Sequence, residues 1–414
     1  MASKNSTTSF DDLPQEAAAN ILLRLPVKAL IRSTSVNKNW YSLITNPHFI
    51  SAQIKRAVLH SHDNAVFVIH HSVSQQKHCS LVSAETSKLF EKFEIPFTTK
   101  SGKLQLVGSV NGLMLLTDSH MFHSSRDLYL WNPCLKTHRT LVSSCFKNLR
   151  DNPYRSYCIV GLGFNEACDD YRVVRVVYSM DNKCNHLGEV CPKAEIYSLR
   201  KQTWRKIKDS AVTRLGASDG VFVKGRFYWL EMKKPITQET GRPYNSKDLW
   251  MLSFDFDNEV FGELKFPENV SNCLGRGSRY KLMEFEGSLS LCVYEVQCCN
   301  GVVVHPYRLW LMMQGNGVIT WTLRFKVALK EGGFPMSITK AGTVLIETIR
   351  GLPNDLSGII SCNLKSLWYK DLGFYKHGGV ESSLFCPEDF TVDTSFVESL
   401  VMYEGGKSLL KFAK

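Results

Sequence analysis

No run in the sequence approaches the roughly 18 apolar residues of a membrane span, so no transmembrane helix is expected. The N-terminus, MASKNSTTSF, lacks the charged-then-apolar order of a secretory signal. Lys and Arg exceed Asp and Glu by 11, yet no basic block appears: Met1 to Arg56 supplies +4 and the rest is dispersed. Dispersed charge reads as a solvated basic surface suited to an acidic partner, not as a nucleic-acid footprint. The thirteen cysteines contain no CxxC, and Cys298 and Cys299 are adjacent. This spacing suits neither a zinc knuckle nor an easy disulfide. Free thiols in a reducing compartment, cytoplasm or nucleus, are expected instead.

Catalytic signals are equally sparse. Neither HExxH nor a P-loop occurs. Gly161-Leu162-Gly163-Phe164 begins like a dinucleotide loop but lacks the third Gly, so it reads as a tight strand entry. His60 and His62 would share one face of a strand, but no ligand cluster lies nearby, and a metal needs three or four convergent donors. Asp169-Asp170 reads as a turn with Asx-type hydrogen bonds. Trp131, Trp204, Trp229, Trp310 and Trp321 fall at repeat positions and read as core. No cofactor, metal or catalytic set is expected.

What is present is an ordinary globular composition, 44% hydrophobic and 21% charged, in 414 residues. That length allows a small module plus one large domain. Residues 1–9 are small and polar and read as a tail. Asp11 or Asp12 can cap a first helix, with Pro14 in its first turn. Leu13, Ala17, Ile21 and Leu25 then recur every fourth residue, and Pro26 stops the stripe. Val27 to Thr34 forms a second helix with Leu30 and Ile31 inward. Asn37 to Ile44 forms a third, carrying Trp40, and Asn46-Pro47 ends it. Helical period persists to about Leu59, giving a connector over 51–60.

From about residue 61 the period changes to two, in short apolar runs bounded by Gly, Asn, Asp or Pro. WNPCLKTHRTL, YSLRKQTWRKI, FDFDNEVFGEL and CNLKSLWYKDL share one layout. A strand end precedes a polar turn, and a bulky residue (His138, Trp204, Phe261, Tyr369) follows seven positions after the first. Fainter copies lie at Leu81 to Ile95 and Leu309 to Phe325, which makes six. A second hairpin, marked by Gly or Asn-Gly, alternates with the first, as at Val110-Asn111-Gly112. Two hairpins per unit make a four-stranded blade, and repeated blades make an all-β propeller over 61–414. Phe396 to Tyr403 is expected to supply a strand to the first blade and close the ring.

The stretch LPQEAAANILLRLPVKALIRSTSVNKNWYSLI resembles an F-box, here placed at 10–50. Leu13, Pro14, Ile21, Leu22, Leu25, Pro26, Leu30, Val36 and Trp40 match the family pattern. Ala17-Ala18-Ala19 and Asn37-Lys38-Asn39 depart from it without removing an apolar anchor. The resemblance implies a three-helix surface for a Skp-family adaptor, which links to cullin and RING subunits of an SCF-type ubiquitin ligase. SVNGLMLL, LYLWNPCLKTHRTL, VGLGFNEACDDYRVVRVV and GVFVKGRFYWL resemble, in order, the F-box-associated, kelch-like domain of plant F-box proteins.

The resemblance implies a non-catalytic substrate receptor whose propeller binds a protein for ubiquitination. The alternatives are an interaction scaffold uncoupled from ubiquitination and a propeller enzyme with its site in the channel. Three polar insertions, Ser179 to Cys191, Lys233 to Asp248 and Ser271 to Tyr280, vary the repeat spacing. Recognition tends to live on such loops. If they share a face, Lys233, Lys234, Arg242, Arg276 and Arg279 form a basic rim for the target.

Overall fold

The computed structural model describes residues 13–60, 64–70, 78–99, 104–118, 127–141, 144–146, 156–179, 191–208, 216–232, 249–271, 278–299, 302–315, 318–329, 332–348, 358–375 and 390–402. The tail at 1–9 and the capping residues Asp11 and Asp12 lie outside them.

Four helices open the described chain: α1 (Gln15–Leu22), α2 (Val27–Ser33), α3 (Lys38–Ile44) and α4 (Pro47–Leu59). Pro14 sits one position before α1 in an extended conformation, and α1 stops at Leu22, three residues before Leu25. Asn37, one of the departures from the F-box pattern, caps α3: its side chain accepts from the Trp40 amide at 2.8 Å. Asn46 caps α4 in the same way, with Pro47 at the first turn. The connector therefore starts at Pro47, earlier than the period alone places it, because Asn46-Pro47 ends one helix and begins the next.

Six antiparallel sheets follow, arranged as blades of a propeller. The first holds β1 (Ala65–His70), β2 (His78–Ser83) and β3 (Leu89–Glu94). The second holds β4 (Leu104–Val110), β5 (Leu113–Asp118), β6 (Leu128–Asn132) and β7 (Thr137–Leu141). The third holds β8 (Ser156–Asn165), β9 (Asp170–Ser179), β10 (Cys191–Ser198) and β11 (Thr203–Lys206). The fourth holds β12 (Gly216–Val223), β13 (Arg226–Met232), β14 (Leu249–Asp255) and β15 (Val260–Lys265), followed by the single turn α5 (Glu268–Ser271). The fifth holds β16 (Arg279–Phe285), β17 (Ser288–Tyr294), a short β18 (Gln297–Cys299), and the long pair β19 (Val302–Gly315) and β20 (Val318–Leu329). The sixth holds β21 (Gly333–Ile338), β22 (Thr343–Thr348), β23 (Gly358–Asn363) and β24 (Tyr369–Tyr375). Finally β25 (Phe390–Asp393) pairs with β1, for example Val392 opposite Val68, and closes the ring. Closure thus comes from a segment ahead of the expected Phe396 to Tyr403. Phe396 and Val397 are buried without being strand, because they are packed between two layers rather than paired in one.

The repeated hairpins have a simple physical basis. The residues seven apart face each other across the outer strand pair: Trp131 and His138, Tyr197 and Trp204, Phe254 and Phe261, Cys362 and Tyr369. In the second, fourth and sixth blades a polar side chain ends the third strand and holds the turn. Asn132 Oδ1 accepts from the Cys134 and Leu135 amides, Asp255 Oδ1 from Asp257 and Asn258, and Asn363 Oδ1 from Lys365 and Ser366. Lys136, Gln202, Glu259 and Leu367 then take positive φ, as such turns require.

The glycines of Gly161-Leu162-Gly163 have a different cause from the one the sequence implies. Both lie within β8. A Cβ on Gly163 would stand 2.2 Å from the Phe256 ring, and one on Gly161 2.8 Å from Phe227 and Trp229. They make room for the aromatic residues of the next blade.

The helices share a core with the ring. Leu22, Val27, Leu30, Ile31, Ile44 and Phe49 are buried in one cluster with Phe67, Phe93, Tyr129 and Trp131 of the first two blades. The turn after the first strand of the sixth blade and the turn after the third strand of the second lie on the helical face. There Lys340 Nζ donates to the Val58 carbonyl at 3.0 Å, and Asn132 reaches the C-terminal segment. Strand direction therefore puts the ends that flank 71–77, 119–126, 180–190, 233–248 and 349–357 on the opposite face.

Candidate functional site

The helices present an apolar surface away from the ring. Leu13, Ile21, Leu25 and Val36 are 37%, 45%, 36% and 61% exposed, and Pro14 and Pro26 are exposed as well. Trp40 is half-buried. Leu22 and Leu30 turn inward, at 1% and 0% exposure. The nine residues singled out from the pattern thus divide into six that face outward, two inward anchors and the half-buried Trp40. Five of the six outward residues lie in the turns before and between the helices, and Ile21 lies on α1 beside the buried Leu22. Tyr41 joins the exposed set. Its neighbour Trp40 drew attention in the sequence, while a lone tyrosine on a short helix gives no periodic signal.

Charge around this surface is one-sided. Arg24, Lys28, Arg32 and Lys38 are exposed on the same helices, against Glu16 as the one described acid of α1 to α4. Lys28 is paired with Glu91 of β3, so Arg24, Arg32 and Lys38 remain as a cationic rim.

The opposite face carries the second candidate. Strand ends flanking all three polar insertions lie there. Arg279 at the start of β16 is exposed, with its guanidinium 5.1 Å from the Phe334 ring centroid. Lys233, Lys234, Arg242 and Arg276 lie outside the described residues. Nothing in the residue pattern signals β18, which extends the fifth blade beyond this face. Val296 and Val303 beside it are 58% and 53% exposed, and Cys298 is exposed.

Chemistry finds little foothold. Among the described residues no group of three His, Cys, Asp or Glu could hold a metal. His60 Nδ1 contacts the Arg56 carbonyl, and His62 lies outside the described residues. Asp170 is consumed in the turn, where it accepts from the Arg200 amide and the Ser198 hydroxyl. A Gly-x-Ser-x-Gly spacing at 216–220 runs along β12 and lacks the strand-to-helix elbow that presents a nucleophile. The channel encloses about 330 Å³ beside Gln105, Ser109, Lys281, Glu284 and Asp393. Burial pushes the Cys292 thiol up to about 12 and Cys362 to about 11, which makes both poor nucleophiles.

Comparison with known proteins gives two family matches. The family described as F-box domain matches residues 10–51, and the family described as F-box associated beta propeller domain matches residues 58–347. An F-box/kelch-repeat protein of Arabidopsis thaliana is 28% identical over 362 residues, covering 82% of this chain and 86% of that protein. The F-box protein CPR1 of Arabidopsis thaliana is 26% identical over 331 residues, covering 76% and 73%. Among solved structures, an oligogalacturonate lyase of Vibrio parahaemolyticus aligns with a TM-score of 0.40 at 7% identity, covering 74% of this chain and 78% of the lyase. That likeness is too loose to carry any inference about activity.

Proposed function

Because this chain belongs to the F-box family whose members carry an F-box associated beta propeller domain, we propose that it is the substrate-recognition subunit of an SCF-type E3 ubiquitin ligase. The helices bind a Skp-family adaptor, and through it cullin and RING subunits. The propeller binds a protein target. The chain has no catalysis of its own and acts by proximity, replacing a bimolecular encounter with a tethered one.

The observation that carries this reading is the exposed row Leu13, Ile21, Leu25 and Val36 on helices whose other side is sealed to the ring. A contiguous apolar patch rimmed by charge marks a protein contact. Pro14, Pro26 and Trp40 flank that contact, while Leu22 and Leu30 hold the helices beneath it. The rim of Arg24, Arg32 and Lys38 favours an acidic adaptor surface, and its contribution weakens with salt. The target is read on the opposite face, by Arg279 and, in the same proposal, by Lys233, Lys234, Arg242 and Arg276. Cytoplasm or nucleus is the compartment proposed, on the thirteen cysteines that offer no CxxC pair.

Co-purification with a plant Skp-family adaptor tests the reading. A stoichiometric complex is expected from the wild type. The double variant Ile21→Asp/Val36→Asp is expected to lose about 100-fold in affinity without a change in melting temperature. A wild-type chain that binds no adaptor, or a double variant that binds like the wild type, contradicts it.

A further inference from the structure

The segment that follows β25 does more than end the ring. In the first blade the chain enters β1 from α4 and leaves β25 at the same face, since Phe67 near the start of β1 lies opposite Asp393 at the end of β25. Residues 396–401 run between α4 and the second blade and are gripped from both sides. Phe396 packs 4.9 Å and 6.0 Å, centroid to centroid, from Phe67 and Phe93. Asn132 Nδ2 donates to the Ser399 and Val401 carbonyls at 3.0 and 2.8 Å. A Cβ on Gly112 would stand 2.3 Å from the Val397 carbonyl oxygen, so that turn is fitted to the segment.

The helical side of the grip is polar and directional. Gln53 of α4 is 5% exposed. Its Nε2 donates to the Glu398 carbonyl at 3.0 Å, and its Oε1 accepts from the Leu400 amide at 3.3 Å. One side chain thus meets the segment as an adjacent strand would, using donor and acceptor together. Glu398 Oε2 accepts from the Val27 amide at 3.3 Å, which satisfies an otherwise orphaned amide in the first turn of α2. A leucine would fill the volume at position 53. It would not fix register, because apolar contact is non-directional.

We propose that Gln53 and Glu398 are positioning residues: with the segment 396–401 they fix the orientation of the helices, and so of whatever the helices bind, relative to the propeller. The family matches end at residue 347, so the segment lies beyond what they describe. The proposal rests on the ligase reading for its consequence. A target held at a set distance from the rest of the assembly has a high effective concentration, which falls when the tether loosens.

The test uses the full chain with spin labels carried by unnatural amino acids at Ser42 on α3 and Lys326 on β20, both exposed. Distance distributions are measured by double electron–electron resonance, with adaptor affinity determined on the same samples. Gln53→Leu/Glu398→Ala is expected to broaden the distribution about twofold while leaving adaptor affinity within about twofold, as independent sites behave. Glu398→Gln keeps an acceptor for the Val27 amide and is expected to overlay the wild type. A merely stabilising role would lower the melting temperature and leave the distribution of the folded chain unchanged, and that result overturns the proposal. If the double variant does not fold, Glu398→Ala alone decides between the same two outcomes. A wild-type chain that binds no adaptor contradicts the ligase reading, while the distance comparison still judges the grip.

Discussion

At the scale of single residues, two buried charges set expectations for stability. Arg175 and Glu195 are 2% and 0% exposed and form an ion pair inside the third blade. Glu195 also accepts from the Ser144 hydroxyl at 2.9 Å and the Cys145 amide at 2.7 Å. Arg175 stacks 4.3 Å from the Trp204 ring centroid. Removing one partner leaves an uncompensated buried charge, so Glu195→Gln is expected to cost about 3 kcal/mol in a urea titration. Asp393 behaves differently. Burial holds its carboxyl above the ordinary carboxylate range. The folded chain therefore favours the protonated form. The resulting stability is fully present below the unfolded value, near 4, and is lost as pH rises through the raised folded value. Asp393→Asn keeps an acceptor for the Ser395 amide and cannot ionise. Its urea midpoint relative to wild type is expected to climb as pH rises above about 4, and a difference independent of pH contradicts this account. None of the three was singled out in the sequence. Arg175 and Glu195 lie 20 residues apart, and Asp393 is buried against β1 and β4 from the other end of the chain, so no local pattern records either.

At the scale of elements, Ile21 and Leu22 make the sharpest comparison. They are adjacent in α1 and differ from 45% to 1% exposure. Leu22→Ala is expected to destabilise the chain by about 3 kcal/mol, as cavity formation in a core does. Ile21→Ala is expected to stay within about 0.5 kcal/mol of wild type and to weaken adaptor binding instead. A urea titration of each, beside a binding titration, separates the two roles. Both residues match the F-box pattern, and an apolar pattern marks helix faces without saying what covers them. Outer hairpins were legible for a concrete reason: the bulky residue seven positions on is the direct cross-strand partner, so spacing and contact are one fact. The closing strand was not legible. Phe390–Asp393 is too short to show alternation, and the more apolar Phe396-Val397 owes its character to packing between layers. Gly161 and Gly163 were misread because their reason lies in Phe227, Trp229 and Phe256 of the next blade.

At the scale of the molecule, the account is one of two faces. The helices and the segment 396–401 cover the face of tight turns, while the strand ends that flank the longer connections point the other way. Pairing with β25 covers the edge of β1 within the chain itself. Both faces are therefore left for binding, one through apolar helices and one through the blade ends. That there are two domains, and which comes first, was legible from the change of period near residue 61. Which face each occupies was not, because it depends on strand direction around a closed ring. Amide hydrogen exchange of the full chain, with and without a saturating Skp-family adaptor, is the measurement that tests the account most directly. The account predicts added protection at 13–25 and 36–41, and none in β16 or the β18–β19 hairpin on the opposite face. Protection confined to those strands, or no protection anywhere, would contradict it.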